Sequence, residues 1–130
     1  MKAENRLWLG WMILDDRALI TLDKLQEHFG TCIVNNHNIK TDWLHQEYNY
    51  SGYRSHHCSI GTKYSQHRFG RAFDCKFKDY HSPEGYAKVR EYILRHPTAF
   101  PYITCLEMNI NSWLHFDTRN VDNPPFLIFP

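Results

Sequence analysis

The chain has 130 residues, a length typical of one compact domain. Hydrophobic residues make up 42% of the chain and charged residues 22%. This composition excludes a disordered or fibrous protein. Fifteen Lys and Arg residues against fourteen Asp and Glu leave a net charge of +1, so we expect no nucleic-acid partner. Nine histidines are a surplus of the side chain most used in metal binding and proton transfer.

The first predicted elements are a helix, a short strand and a loop. Apolar residues at helical spacing predict an amphipathic helix over about 16–29, and Gly30 follows as its stop. The next apolar residues predict a short strand at 31–34. From 35 to 50 the chain is polar and aromatic without a period, which indicates a long ordered loop of the kind that borders binding clefts.

The second half of the chain contains the remaining predicted elements. Strict alternation predicts a half-buried strand over 71–77, and a helix of about 83–95 follows. Two more strands are expected near 101–109 and 113–118, and the tail at 120–130 should lie extended over the surface. Because strands and helices do not alternate regularly, we expect one small α+β domain, an antiparallel sheet with flanking helices.

The sequence contains no recognisable targeting or membrane signal. The apolar run at 7–14 is far shorter than the roughly 20 residues of a membrane span, and it lacks the features of a secretory signal. We therefore expect no transmembrane segment and a chain that is cytoplasmic as synthesised. Four cysteines without a C-x-x-C pair favour reduced thiols over a disulfide framework or a zinc knuckle.

Two strand segments present histidine and aspartate on their polar faces. His67 precedes a turn that contains Gly70, and Asp74 follows on the next strand. Further along, His115 and Asp117 alternate with apolar residues. Two imidazoles and one carboxylate are three of the ligands of a catalytic zinc, whose last position is open to water. Scattered structural histidines are the alternative that this spacing leaves open.

Three motifs occur in an order that resembles a known family: S-G-Y-R-S at 51–55, S-x-H-x-x-G-x-A-x-D at 65–74 and W-x-H-x-D at 113–117. They are similar to the motifs of zinc D-alanyl-D-alanine carboxypeptidases and L-alanyl-D-glutamate peptidases, whose fold is related to the hedgehog signalling domain. The resemblance covers about residues 19–119, and short members from bacteriophages and prophages are particularly similar. It implies a zinc peptidase that cleaves an amide bond of the peptidoglycan stem peptide by metal-activated water, acting on the cell wall after release, as an endolysin does.

The resemblance also implies which residues hold the metal. His67, Asp74 and His115 match the family's Zn²⁺ ligands. Asp117 and Ser65 are expected to orient the ligand imidazoles through their second ring nitrogens. For Asp117, an ordinary aspartate on a polar strand face is an equally weighted alternative.

Substrate-binding and catalytic roles follow from the same motifs. Arg54 matches the arginine thought to bind the scissile carbonyl oxygen or a substrate carboxylate, and Tyr53 beside it is expected to contact substrate. Many family members place the general base three residues before the last zinc histidine, where this chain has Ser112. The expected base is therefore Glu107, provided that the loop at 109–112 turns it toward the metal.

Two other functions compete with this interpretation. An iron oxygenase also uses two histidines and a carboxylate, but it needs a distal histidine and none follows Asp117. A non-catalytic module, stabilised by zinc and serving as a cell-wall binder or virion component, stays open because Ser112 stands at the commonest base position. The pattern fits either peptidoglycan bond and any oligomeric state.

Overall fold

The computed structural model describes residues 14–36, 41–55, 57–62, 64–121 and the backbone of 127–129. Its two α-helices are α1 (Asp16–Phe29) and α2 (Pro83–Arg95). Its strands are β1 (Cys32–Ile33), β2 (Ala72–Phe77), β3 (Cys105–Glu107), β4 (Leu114–Asp117) and β5 (Leu127–Phe129). Three short 3₁₀ turns lie at Gln66–Phe69, Lys78–Tyr80 and Pro97–Ala99.

Both helices begin at a side-chain cap and have the bounds predicted from the sequence. The Asp15 carboxylate accepts a hydrogen bond from the Arg17 backbone N–H at 2.9 Å and so caps α1. The Ser82 hydroxyl oxygen accepts one from the Gly85 N–H, also at 2.9 Å, and caps α2. These caps satisfy backbone donors that the first helical turn cannot satisfy itself, which is why each helix begins where it does.

The strands form one sheet in the order β1-β2-β4-β3-β5. Strands β1 to β4 pair antiparallel, as predicted, and the register of β2 and β4 sets Asp74 opposite His115. The tail is extended at 127–129, as predicted for 120–130, and there it adds a strand that the sequence did not predict, because β5 pairs with β3 and runs parallel to it. An edge strand offers unpaired N–H and C=O groups, and β5 satisfies those of β3. Residues 122–126 of the tail lie outside the described part of the chain.

One apolar core lies between the two helices and the sheet. The buried side chains come from α1, from α2 and from alternate positions of β2, β3 and β4: Ala18, Leu25, Phe29, Tyr86, Val89, Ile93, Phe73, Cys75, Phe77, Leu106, Leu114 and Phe116. Their burial removes apolar surface from water and fixes the helices against one face of the sheet. The opposite face is thereby left for the polar side chains of β2 and β4.

The polar face of β2 is also buried, so the prediction of a half-buried strand was wrong. Lys76 is fully buried, and its Nζ donates to the Val34 carbonyl, to Ser51 Oγ at 2.8 Å and to the Asp74 carbonyl at 3.0 Å. The same Nζ lies 4.2 Å from the centre of the Tyr48 ring. Burial lowers the pKa of Lys76 to about 8. These contacts hold the segment that follows β1 across the polar face.

Membrane-spanning helices and disulfides are both absent from the described residues. None of the helices there is long and apolar enough to cross a membrane. All four cysteines are free, as expected, and Cys75 and Cys105 are buried. Residues 7–13 of the N-terminal apolar run lie outside the described part of the chain.

Candidate metal site

The structure brings the three predicted metal ligands together. His67 lies on the 3₁₀ turn before β2, and Gly70 ends that turn with a φ of 67°, a left-handed conformation that glycine adopts readily. The pairing of β2 with β4 then sets Asp74 beside His115. One nitrogen of each imidazole and one carboxylate oxygen lie within 4.8 Å of one another, and all three residues are buried. This cluster could hold a metal ion.

Hydrogen bonds determine which ring nitrogens face the centre of the cluster. His67 Nδ1 lies 2.9 Å from the Gly52 carbonyl, and His115 Nε2 lies 3.0 Å from Asp117 Oδ2. The other two nitrogens, His67 Nε2 and His115 Nδ1, approach Asp74 Oδ1 at 3.4 and 2.8 Å. A ring nitrogen that donates its hydrogen to an outer oxygen leaves the other nitrogen's lone pair for a metal. The arrangement therefore suits a cation bound through His67 Nε2 and His115 Nδ1.

Charge is concentrated in this buried cluster. Burial by itself would raise the pKa of Asp74, but hydrogen bonds from His115 and His67 outweigh it and hold that pKa well below its usual range. Burial would lower the pKa of His115, yet its hydrogen bonds to Asp117 and Asp74 raise it to about 9. A cation bound by these residues would take the place of the proton on His115 Nδ1.

Asp117 occupies the position predicted for it, behind His115, and a residue that the sequence prediction missed holds it there. Its fully buried carboxylate accepts hydrogen bonds from Arg119 Nε at 2.7 Å and Nη2 at 2.6 Å. Burial would raise the pKa of Asp117, but Arg119 and His115 lower it. The spacing of these residues was visible in the sequence, because Arg119 follows His115 and Asp117 at the same interval of two, just beyond the end of β4.

The three candidate ligands line one pocket, the metal pocket, which has a volume of about 360 Å³. Its other lining residues come from the loop before β2, from β3 and from β4 and its flanks: Arg54, Gly61, Thr62, Tyr64, Ser65, Gln66, Glu107, Trp113 and Arg119. The pocket therefore collects residues from all three sequence motifs around one group of potential metal ligands.

Arg54 reaches this pocket as the sequence motif implies. Its backbone N–H donates to the His67 carbonyl at 3.1 Å, and its Nε donates to the Tyr50 carbonyl at 2.6 Å. Its Nη2 lies 3.5 Å from Asp74 Oδ2. A Cβ at Gly61 would lie 2.7 Å from Arg54 Nη1, so the absence of a side chain at Gly61 gives the guanidinium its space.

Glu107 also lines the pocket. It ends β3, its side chain is 37% exposed, and its Oε1 lies 3.9 Å from His115 Nε2. The loop after β3 thus leaves Glu107 near the potential ligands, while Ser112 is exposed and lines a neighbouring cavity. The role of Glu107 as general base stays a prediction.

Two other predicted site residues have different surroundings. Tyr53 lines an apolar groove beside α1 and not the metal pocket, so the geometry lends no support to its predicted contact with substrate. Ser65 does line the pocket, but the oxygen that engages His67 Nδ1 is the Gly52 carbonyl. The S-G-Y-R-S motif therefore contributes a backbone carbonyl to the metal site, which side-chain reasoning from the sequence could not reveal.

The chain has no significant match among protein-family profiles, curated proteins or solved structures. Its own structure shows a small α+β protein with a buried His67-Asp74-His115 group that could hold a metal ion.

Proposed function

We propose that this protein is a zinc-dependent peptidase that hydrolyses an amide bond of the bacterial peptidoglycan stem peptide. The observation that carries the proposal is the convergence of His67, Asp74 and His115 in a pocket that also contains an arginine and a glutamate. Two imidazoles and one carboxylate are a donor set that Zn²⁺ takes in catalytic sites, where a further position stays open. Zn²⁺ bound there would supply Lewis-acid activation of water and of a carbonyl group.

The chain's own residues would perform the remaining steps. The Arg54 guanidinium, held beside Asp74, would bind the scissile carbonyl oxygen and stabilise the negative charge that develops on it, or bind a substrate carboxylate. The Glu107 carboxylate would accept a proton from the attacking water and deliver it to the leaving amine. Asp117 and Arg119 would keep the His115 ring oriented throughout.

The substrate class is proposed from the three sequence motifs. Backbone contacts join them: the Arg54 N–H donates to the His67 carbonyl, and β2 pairs with β4. The motifs themselves resemble those of D-alanyl-D-alanine carboxypeptidases and L-alanyl-D-glutamate peptidases, and this resemblance implies a stem-peptide substrate. The resemblance of the sequence motifs to those of short bacteriophage members implies action on the wall after release from the cell.

A non-catalytic module that binds the cell wall or forms part of a virion is the second candidate function. Ser112 occupies the commonest base position and is exposed, and Glu107 approaches Nε2 of His115, the nitrogen that also contacts Asp117. In that case a metal would only stabilise the fold.

Metal analysis and digestion of purified peptidoglycan test the proposal together. Wild-type protein should contain about one zinc ion per chain, and His67→Ala and His115→Ala should lose it while His96→Ala, at an exposed histidine, retains it. Mass spectrometry of the digest should show new peptide termini with the wild type and with His96→Ala, but not with His67→Ala or His115→Ala. Correctly folded protein without zinc would refute the mechanism, and zinc-loaded protein that releases nothing would favour the binding module.

A further inference from the structure

A second cavity, of about 380 Å³, lies next to the metal pocket. Asn111 and Ser112 line it and directly precede Trp113, which lines the metal pocket. The Tyr48 ring, on the wall of the second cavity, contacts the Trp113 ring edge-on with centroids 6.1 Å apart. The volume falls in the range of about 300–1,000 Å³ that small-molecule sites have. One extended ligand could therefore contact both cavities.

The lining of this cavity is aromatic and polar. Trp43 and Tyr48 supply aromatic surface, while Gln46 and Asn111 supply amide donors and acceptors. Burial lowers the pKa of His81, which also lines the cavity, and so favours the neutral form of its ring. Among the described residues that line it, there is no Asp, Glu, Lys or Arg.

Partly buried hydrogen bonds hold the cavity wall in place. The side chain of Asn36 accepts from the Tyr48 N–H at 2.6 Å and donates to the Gln46 carbonyl at 2.9 Å, and its backbone N–H donates to the Tyr48 carbonyl at 3.0 Å. The Trp43 ring packs edge-on against His81, with centroids 5.4 Å apart. A wall fixed in this way loses little conformational freedom when a ligand binds.

The metal pocket differs from this cavity in its charge. Arg54, Asp74, Glu107 and Arg119 all line the metal pocket. The stem peptide of peptidoglycan carries carboxylates and an amino group, which are costly to desolvate without charged partners. The glycan strand that bears the peptide is neutral, and its sugar rings have apolar C–H faces with hydroxyl and acetamido groups at their edges. By charge complementarity, the charged peptide therefore suits the metal pocket, and the neutral glycan suits the second cavity.

We propose that the second cavity binds an N-acetylated sugar of the glycan strand while the metal pocket holds the attached peptide. The sugar's apolar face packs on Trp43 and Tyr48, and its acetamido and hydroxyl groups bond to the amide and imidazole groups around them. The inference rests on the proposed function, since peptidoglycan is what links such a sugar to a charged peptide. Sugar binding in the second cavity makes glycan-linked peptide the preferred substrate over free stem peptide.

A sugar titration tests the cavity independently of catalysis. The tetramer of N-acetylglucosamine, which has no stem peptide, is added to the full chain while chemical shifts of backbone amides are followed by NMR. Saturable binding is expected in the wild type and in Glu107→Gln, with shift changes at the cavity wall. Trp43→Ala should weaken it about tenfold, Trp43→Phe should weaken it less, and Tyr102→Ala, at an exposed aromatic, should not change it. No binding by the wild type, or equal binding by Trp43→Ala, would overturn the proposal.

Hydrolysis kinetics then test the link between the two cavities. Trp43→Ala should lower kcat/KM for glycan-linked peptide about tenfold and leave kcat/KM for the free stem peptide unchanged. An equal loss with both substrates would make the cavity a peptide subsite and overturn the sugar proposal. If the wild type cleaves neither substrate, the proposed peptidase function fails, while the sugar titration still decides what the cavity binds.

Discussion

Replacing Asp117 by asparagine should weaken metal binding through the protonation of His115. The carboxylate of Asp117 is fully buried, its Oδ2 lies 3.0 Å from His115 Nε2, and both of its oxygens accept hydrogen bonds from Arg119. An amide has one oxygen. Two donors of Arg119 that cannot accept, its backbone N–H and Nε, point at the Oδ1 position, whereas the Oδ2 position faces Nη2 and the His115 ring, which can accept, so the amide oxygen should take the Oδ1 position and the NH₂ should face His115. Nε2 must then accept a hydrogen bond, which moves the ring proton to Nδ1, the nitrogen that faces Asp74.

The size of this effect follows from the loss of the carboxylate that fixes the His115 tautomer and raises the basicity of the ring. Removing such a partner of a ligand imidazole lowers metal affinity about 10- to 100-fold, so Asp117→Asn should lower zinc affinity by that factor. Competition with a chromogenic zinc chelator at pH 7 measures it, and circular dichroism checks the fold. Asp23→Asn, which changes an exposed aspartate on α1, is the matched control. An affinity within about twofold of wild type would refute the reasoning.

Three further predictions concern catalysis, pH dependence and packing. Glu107→Gln should retain zinc by metal analysis but lower turnover of peptidoglycan at least about 100-fold, and unchanged turnover would place the base elsewhere. His81 Nδ1 lies 2.6 Å from the Tyr86 hydroxyl, and burial lowers the pKa of His81. His81 therefore binds a proton more readily in the unfolded chain than in the folded one. The contribution of His81 to the free energy of unfolding should therefore fall as pH drops below about 6.5, whereas that of His115, whose pKa is raised, should not. Urea titrations from about pH 7 to 5 should show the free energy of unfolding of His81→Gln rising relative to that of the wild type; an unchanged difference would exclude this residue as the cause. Gly85→Ala should lower the free energy of unfolding by about 2 kcal/mol in urea titrations, because its Cβ would lie 2.2 Å from the Tyr80 carbonyl oxygen; a more stable variant, the usual result of this exchange inside a helix, would contradict the clash.

Both helices could be predicted from the sequence because local residues set their ends. Asp15 and Ser82 accept hydrogen bonds from the first turns, and Gly30 follows α1 with a φ of 86°. Such signals act within a few residues of one another, so they can be recognised without knowledge of the tertiary structure. The parallel pairing of β5 with β3 joins residues distant in the chain and has no local signal.

The burial of β2 shows a second limit of local reasoning. Its alternation separates Phe73, Cys75 and Phe77 from Asp74 and Lys76, and that separation is correct. Period-two alternation states which side chains share a face, but it does not state what covers that face. Contacts of Lys76 Nζ with residues of the segment after β1 bury the polar side as well.

The sequence by itself determined which residues could bind a metal. His67, Asp74 and His115 were identifiable because ligand chemistry depends on residue type and the motifs occur in a recognisable order. Only the tertiary structure decided that these residues meet, through the register of β2 against β4. It also decided that the Gly52 carbonyl and the Asp117 carboxylate choose the ring nitrogens that face the centre. The physical reason is that hydrogen bonds depend on distances of a few ångströms between groups far apart in the chain.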